Sequence, residues 1–375
     1  MGEIVVIGGG IVGQGAAYEL ASAGASVTLI DRADDGQATA AGAGILSPGT
    51  GALGTGPLRP LAAAALAFYP DLIARLAEDG ERDTGFAICG GLFVATSEEE
   101  AERLPERLAA IEERRASGMA NIGDVTMLDG AAARALFPPL ADVPGAIGLS
   151  GIGRVDGRLM RDALRRAATK RGATIIRGSA EIVRVGGRAT SVRVDGRTIA
   201  TDAIVVAGGA WTAALGAALG ITLPLYPQRG QILHLDVPGT TTSAWPVILG
   251  FGSQYLLAFP EHRVVAGATR EHASGYDYRM TAGGVHEVLG EALRVAPGLA
   301  TATVAEIRIG LRPTSPDGLP ILGRVPGYDN IFVATGHGAS GLQLGPHSGA
   351  TVARMAQGHA ADLDLAAFAA ERFGG

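Results

Sequence analysis

The sequence predicts a two-domain α/β (α+β) protein in which a Rossmann-type dinucleotide-binding domain is interleaved with an antiparallel β-sheet domain. Three observations predict it. Gly8-x-Gly10-x-x-Gly13 lies between a short apolar strand and an apolar helix, and an acid, Asp31, closes the next strand. Two further buried-strand patterns, at 201–209 and 331–336, each run into glycines in the middle and at the end of the chain. Between them lie stretches of short strands and turns, so the chain crosses between two domains several times. The expected division assigns 1–85, 146–222 and 308–375 to the dinucleotide-binding domain, and 86–145 and 223–307 to the other.

The elements follow from local pattern. Residues 4–7 read as a buried strand, 8–13 as a glycine turn, and the next segment as a helix with Ala16, Ala17, Leu20 and Ala21 on one face; residues 26–31 are a second strand, completing a βαβ unit. Residues 36–57 are rich in Gly, Ala, Ser and Pro and read as a loop. Helical periodicity appears at 58–77, 98–117, 159–171, 284–295 and 342–357. Strands are expected at 85–96 and 174–177, hairpins up to 199, and short strands alternating with turns over 223–280.

Composition excludes several classes. A chain of 375 residues suggests about two domains and buries a large core without staples. The net charge of −6, with 18% charged residues, argues against a nucleic-acid footprint. Cys89 is the only cysteine, which rules out an internal disulfide and a multi-cysteine metal site; no metal is expected, since the seven histidines show no H-x-x-x-H spacing. Lys170 is the only lysine and lies in a charged, solvated stretch, which leaves little room for Schiff-base chemistry. No targeting segment is visible, and the apolar run near 61–68 is flanked by Arg59, Pro60 and Pro70, well short of the roughly 18 apolar residues of a membrane span. A cytoplasmic protein without integral membrane contact is expected.

The chemistry begins at the fingerprint. Gly8 permits a tight turn, Gly10 lets the backbone approach a pyrophosphate, and Gly13 lets helix and strand pack closely. The helix N-terminus offers free N–H groups and positive dipole to phosphates. Asp31, 18 residues past Gly13, suits ribose hydroxyls and disfavours a 2′-phosphate. The fingerprint by itself leaves NAD and FAD open.

Further blocks run along nearly the whole chain: 41–48 (AGAGILSP), 202–211 (DAIVVAGGAW), 227–231 (PQRGQ), 267–271 (GATRE), 310–313 (GLRP) with 316–320 (PDGLP), and 334–338 (ATGHG). Together with the fingerprint, in this order, they resemble the FAD-dependent D-amino acid oxidase superfamily, especially its glycine oxidase and sarcosine oxidase-like branch. The resemblance implies FAD held by Gly8, Gly10, Ile11, Val12 and Gly13, with Asp31 and Arg32 beside the nucleotide. It implies that the loop Ala41, Gly42, Ala43, Gly44, Ile45 and Leu46 covers pyrophosphate and flavin ring, that Val183 meets adenine through its backbone, and that Ala207, Gly208 and Trp211 lie beside the nucleotide. Gly310 and Arg312 would border the flavin, and Gly338, Ala339, Ser340, Gly341, Leu342 and Gln343 would turn helix N–H groups toward its N1–C2=O edge. His337 is read as structural.

For the substrate, the resemblance implies that Arg312 binds an amino acid carboxylate bidentately and that Tyr255 donates its hydroxyl to the same group. Arg270 stands where glycine oxidase has a methionine. A second cation suggests a substrate with a second carboxylate, such as iminodiacetate or an acidic D-amino acid; alternatively Arg270 pairs with Glu271 or Asp277. The sarcosine oxidase branch attaches FAD through a cysteine near the C-terminal motif, and 312–316 has none, so noncovalent FAD is expected. Cys89 is read as a buried small hydrophobe.

The implied reaction is oxidative deamination of a small amino acid or N-substituted glycine. Hydride passes from Cα to flavin N5, the imine hydrolyses, and O₂ becomes H₂O₂. Homo-oligomers are common among proteins similar to this one. Three alternatives stay open: a dehydrogenase of the same fold with another acceptor, an NAD-dependent dehydrogenase, and a non-catalytic flavin-binding protein. The interleaved domains and the 336–341 block argue against the second, and Arg312 with Tyr255 against the third.

Overall fold

The computed structural model describes residues 2–47 and 54–374. Pro48 of the 41–48 block and part of the expected 36–57 loop lie outside the described residues. The fingerprint strand Glu3–Ile7 is central in a six-stranded sheet. The order is Ile321–Arg324, Ile331–Thr335, Ala203–Val206, Glu3–Ile7, Ser26–Asp31, Thr174–Arg177. All neighbours are parallel except the first pair. The three buried-strand patterns therefore meet in one sheet although they are far apart in sequence. Their apolar runs suit strands covered on both faces.

One face carries the helices Ile11–Ser22, Leu58–Glu78, Gly157–Lys170 and Gly341–Ala356 around a core that includes Leu20, Leu66, Tyr69, Met160 and Val352. The other face packs Val5, Ile204 and Val333 on the three-stranded meander Glu181–Val185, Arg188–Val194, Arg197–Ala200 through Ala189 and Val192. The helices Ile11–Ser22 and Gly341–Ala356 approach through small residues. A Cβ on Gly349 would lie 2.2 Å from the Val12 carbonyl oxygen, so no larger residue fits there without moving a helix.

The second sheet has eight strands in the order Thr303–Thr314, Tyr226–Asp236, Arg263–Gly267, Tyr255–Ala258, Val247–Gly250, Gly91–Ala95, Gly145–Leu149, Val125–Leu128. It is antiparallel apart from one parallel pair, Val247–Gly250 with Gly91–Ala95. These two strands arrive on separate passes of the chain, so no hairpin dictates their direction. Its outer face holds Phe137, Leu235 and Leu256 against the helix Ala282–Val295. Its inner face, with Phe93, Ile232 and Leu257, packs against Ala43 and Ile45 of the 41–46 loop. The expected junctions at 145/146 and 307/308 fall inside Gly145–Leu149 and Thr303–Thr314, because strand ends follow hydrogen-bond ladders and not composition.

Two helices differ from their sequence patterns. The 98–117 pattern divides into Glu98–Glu102 and Leu104–Ala116, since Pro105 cannot donate a backbone hydrogen bond. The 159–171 helix begins earlier, at Gly157, because Asp156 caps it by accepting from the N–H groups of Arg158 (2.9 Å) and Leu159 (3.2 Å). The 61–68 run sits inside the 21-residue helix Leu58–Glu78, which is long and apolar enough to cross a membrane by length and composition. Its Leu61, Ala62, Ala65, Leu66, Tyr69, Leu72 and Leu76 are buried in the helical core.

A charged group ties the Gly157–Lys170 helix and the 38–41 turn to the eight-stranded sheet. Arg158 pairs with Glu306 (2.8 Å) and donates to the Ala40 carbonyl (3.2 Å), Arg308 pairs with Glu306 (2.8 Å), and Asp156 pairs with Arg263 (2.8 Å). His234 is buried among them with neither ring nitrogen hydrogen-bonded. Burial, with the charges of Arg308 and Arg263, pushes it from 6.5 down to about 3. The unfolded chain therefore binds a proton below pH 6.5 that the native state refuses down to about pH 3, so this contribution is complete above 6.5 and is lost as pH falls. Between pH 6.5 and 4.5, native stability should fall with a slope approaching ~1.4 kcal/mol per pH unit from this residue. His234→Leu should flatten the decline in denaturant titrations; equal slopes in both proteins would refute it.

Candidate active site

A cavity of about 320 Å³ runs between the two sheets, from the fingerprint turn to the inner face of the eight-stranded sheet. At one end both helices begin. Gly8, Gly10, Ile11 and Val12 line it from the first, and Gly338, Ala339, Gly341, Leu342 and Gln343 from the second. Neither helix has a side chain of its own capping its N-terminus, and neither has an acid in its first turn. The N–H groups there are available to anions. One is already used: Ile11 N–H donates to Thr39 Oγ1 at 3.0 Å, which seats the 38–41 turn on the fingerprint.

Asp31 and Arg32 line the cavity beside this end. Asp31 accepts from Gln37 Nε2 at 3.1 Å, while Arg32 is engaged by Asp34 at 2.7 Å. The loop residues Ala41, Gly42, Ala43, Gly44 and Ile45 form one wall, and Ala207, Gly208 and Trp211 another. Gly310 and Arg312 stand at the inner end with Tyr255 and Arg270.

Four residues named with the cofactor site do not line the cavity. Gly13 lies beneath the turn, where a Cβ would come within 1.9 Å of the Gly8 carbonyl oxygen; its part is the close packing of helix and strand. Leu46 points into the helical core. Ser340 precedes the Gly341–Ala356 helix without lining the cavity. Val183 pairs with Ser191 in the three-stranded meander, and the cavity there is lined by Gly178, Ser179 and Ala180. The chain borders the cavity there as it leaves the Thr174–Arg177 strand, whose Arg177 pairs with Asp31. Cys89 is only half-buried, against expectation, and is not among the lining residues.

The inner end is electropositive. Arg312 is directly opposite Gln228 across neighbouring strands and donates from Nη1 to Gln228 Oε1 (3.1 Å) and to the Thr269 carbonyl (2.9 Å). Among the described residues it has no carboxylate partner. Burial pushes its pKa below the ordinary value, with Tyr255 opposing that shift and the charge of Arg270 adding to it. Tyr255 lies across Gly267 of the next strand, and burial raises its hydroxyl pKa.

Arg270 is exposed at the cavity wall and makes no ion pair among the described residues. Both acids that could have paired with it are taken. Glu271 binds Arg229 at 2.6 Å, and Asp277 binds Arg229 at 3.1 Å and Arg279 at 2.9 Å. The 271–281 segment is further sewn to the nucleotide side by Tyr276, whose hydroxyl donates to the Ala210 carbonyl (2.9 Å), and by Tyr278, whose hydroxyl donates to Asp35 (2.9 Å).

Two orphaned groups test whether FAD suits the cavity. Among the described residues, Gln343 Nε2 and His337 Nε2 are buried without hydrogen-bond partners, and both residues line the cavity. Burial pushes His337 down to about 4, so the ring is neutral near pH 7. A donor-lined helix terminus, an acid beside the glycine turn and an apolar wall together fit a dinucleotide with a polar heterocycle. Fold and cavity thus define a dinucleotide-dependent oxidoreductase whose cavity is lined from both sheets.

Residues 3–355 match the FAD dependent oxidoreductase (DAO) family, and the chain belongs to it. It is 41% identical to the uncharacterized oxidoreductase YurR of Bacillus subtilis over 98% of both chains. It is 31% identical to the glycine oxidase of Geobacillus kaustophilus, covering 99% of this chain and 97% of that one. The crystal structure of iminodiacetate oxidase (IdaA) from Chelativorans sp. BNC1 superimposes with a TM-score of 0.92 at 42% identity, covering 98% of each chain. The protein is an FAD-dependent oxidoreductase of α/β two-domain fold.

Because the cavity's phosphate end needs both helices in contact, Gly349→Ala should weaken FAD retention by about tenfold or more while leaving far-ultraviolet dichroism unchanged. The ratio of flavin to protein absorbance after gel filtration measures this; full retention would refute the dependence.

Proposed function

We propose that the protein oxidises the CH–NH bond of a glycine-type amino acid, and that its preferred substrate is a secondary amine carrying two carboxylates, as in iminodiacetate. The observation that carries the reading is a half-buried, acid-free guanidinium, Arg312, accompanied by a second unpaired guanidinium, Arg270, at the same cavity. For Arg312, a desolvated cation held without an anion is costly unless a ligand supplies the anion. The glycine oxidase and iminodiacetate oxidase likenesses support the same class.

Arg312 grips the carboxylate next to the reacting carbon, and Tyr255, kept protonated by burial, donates its hydroxyl to it. Arg270, nearer solvent, meets the second carboxylate. Oriented this way, the glycine half of the substrate lies inward and the acid tail points to the mouth. When bound, FAD would supply the hydride acceptor and pass the two electrons, with two protons, to O₂ to give H₂O₂. Loss of a hydride from Cα of the neutral amine leaves an iminium, which water hydrolyses to an oxo acid and an amine. Gly8–Val12 and Gly341–Gln343 would hold the cofactor, with Asp31 on the ribose. The lone cysteine does not line the cavity, which supports noncovalent attachment.

Arg270→Met should raise KM for iminodiacetate by about tenfold or more and change that for glycine by less than about threefold. Equal effects on both substrates would sink the two-cation reading. Anaerobic bleaching of the flavin by these amines tests catalysis itself, and peroxide yield in air separates an oxidase from a dehydrogenase.

A further inference from the structure

We propose that Gln228 is a positioning residue for the carboxylate clamp: it fixes which edge of the Arg312 guanidinium faces substrate. This rests on the reading of Arg312 as the carboxylate anchor. A guanidinium carries five N–H groups in a planar fork. Nη1 spends both of its hydrogens, one on Gln228 Oε1 at 3.1 Å and one on the Thr269 carbonyl at 2.9 Å. The edge formed by Nε and Nη2 is then the one able to give a carboxylate two parallel hydrogen bonds.

The plane is fixed as well. The guanidinium lies flat over Gly230, where a Cβ would come within 2.3 Å of Nη2 and 2.4 Å of Cζ. Backbone therefore supports the fork from below, and two acceptors hold it within its plane. Of these three constraints, only Gln228 is contributed by a side chain.

The amide of Gln228 is itself oriented. Arginine offers only donors, so the amide must turn its oxygen toward Arg312. Its nitrogen lies 3.1 and 3.3 Å from the ring nitrogens of His272, and the residue is 95% buried, its relative exposure being 5%. The choice of an amide also has a chemical consequence. A glutamate here would orient Arg312 equally well but would neutralise it and compete with the substrate for the same fork. A neutral acceptor orients the cation and leaves its charge for the ligand.

The test uses the FAD-loaded enzyme. Binding of acetate, a carboxylate with no oxidisable C–N bond, is read from perturbation of the flavin spectrum, beside KM and kcat for glycine. In Gln228→Leu, Kd for acetate and KM for glycine should rise about tenfold, with kcat within about twofold and the flavin-to-protein ratio unchanged. In Gln228→Glu, the loss of acetate binding should be larger, about hundredfold, since the new carboxylate occupies the fork. Should Gln228→Leu fail to fold, Gln228→Glu, which preserves the shape of the side chain, carries the test. Wild-type acetate binding in either variant overturns the proposal. Arg312→Met separates the levels: loss of acetate binding there, with none in the Gln228 variants, removes the role of Gln228 alone, whereas no loss there removes the clamp reading beneath it.

Discussion

Everything that the cavity does depends on two helices touching through a glycine. Gly349 lets the Gly341–Ala356 helix lie against Val12, so helices that begin more than 300 residues apart open side by side. Two N-termini at one place, neither capped by its own N-cap side chain, concentrate backbone N–H donors and helix dipole at one end of the cavity; on the proposed reading the first meets the dinucleotide phosphates and the second the negative charge of a reduced flavin. A lone fingerprint would supply the first function only. The second requires the chain to return to the same sheet, which it does through the parallel pairing of Ala203–Val206 with both Glu3–Ile7 and Ile331–Thr335.

The eight-stranded sheet solves a different problem, that of placing cations without letting the protein's own acids quench them. The local supply of carboxylates is not small: Glu271 follows Arg270 directly, and Asp277 is close in sequence. Arg229 binds both, and it is nearly buried with a side-chain exposure of 9%. It therefore removes two competing anions from the neighbourhood of Arg270 and Arg312. Gln231 reinforces this by donating to Glu271 Oε1 at 2.8 Å. The electropositive character of the inner cavity results from which cation satisfies which acid and not from an excess of arginine.

How much of this was legible depended on sequence distance. The fingerprint, Asp31 and the first helix are set by spacing within about thirty residues, and the structure forms those elements as the pattern requires. Arg312 could be singled out because it lies in a distinctive block. Gln228 lies in the 227–231 block, but its contact with Arg312 could not be read, since the two residues are 84 positions apart and meet only through strand register. Thr39, which seats the 38–41 turn on the fingerprint, reads in sequence as one more small residue in a loop. The Val183 expectation, drawn from the resemblance, falls on the strand Glu181–Val185, and the pattern of that segment did not show that Gly178, Ser179 and Ala180 just before it line the cavity. The parallel pair in the second sheet was invisible for the same reason: strand direction is a property of the path of the chain.

The segment 270–281 carries Arg270 at one end, caps the Ala282–Val295 helix through Thr281 at the other, and reaches the nucleotide side through Tyr276 and Tyr278 between them. On the proposed reading, the side chain that selects the substrate is thereby built into the same short span that rests on the walls of the cavity. Lengthening or reshaping this span to admit a new substrate would also disturb those supports. Divergence of specificity in this fold is then expected to proceed by exchanging single side chains on a span of constant length, because a change of length would have to be absorbed at two sites at once.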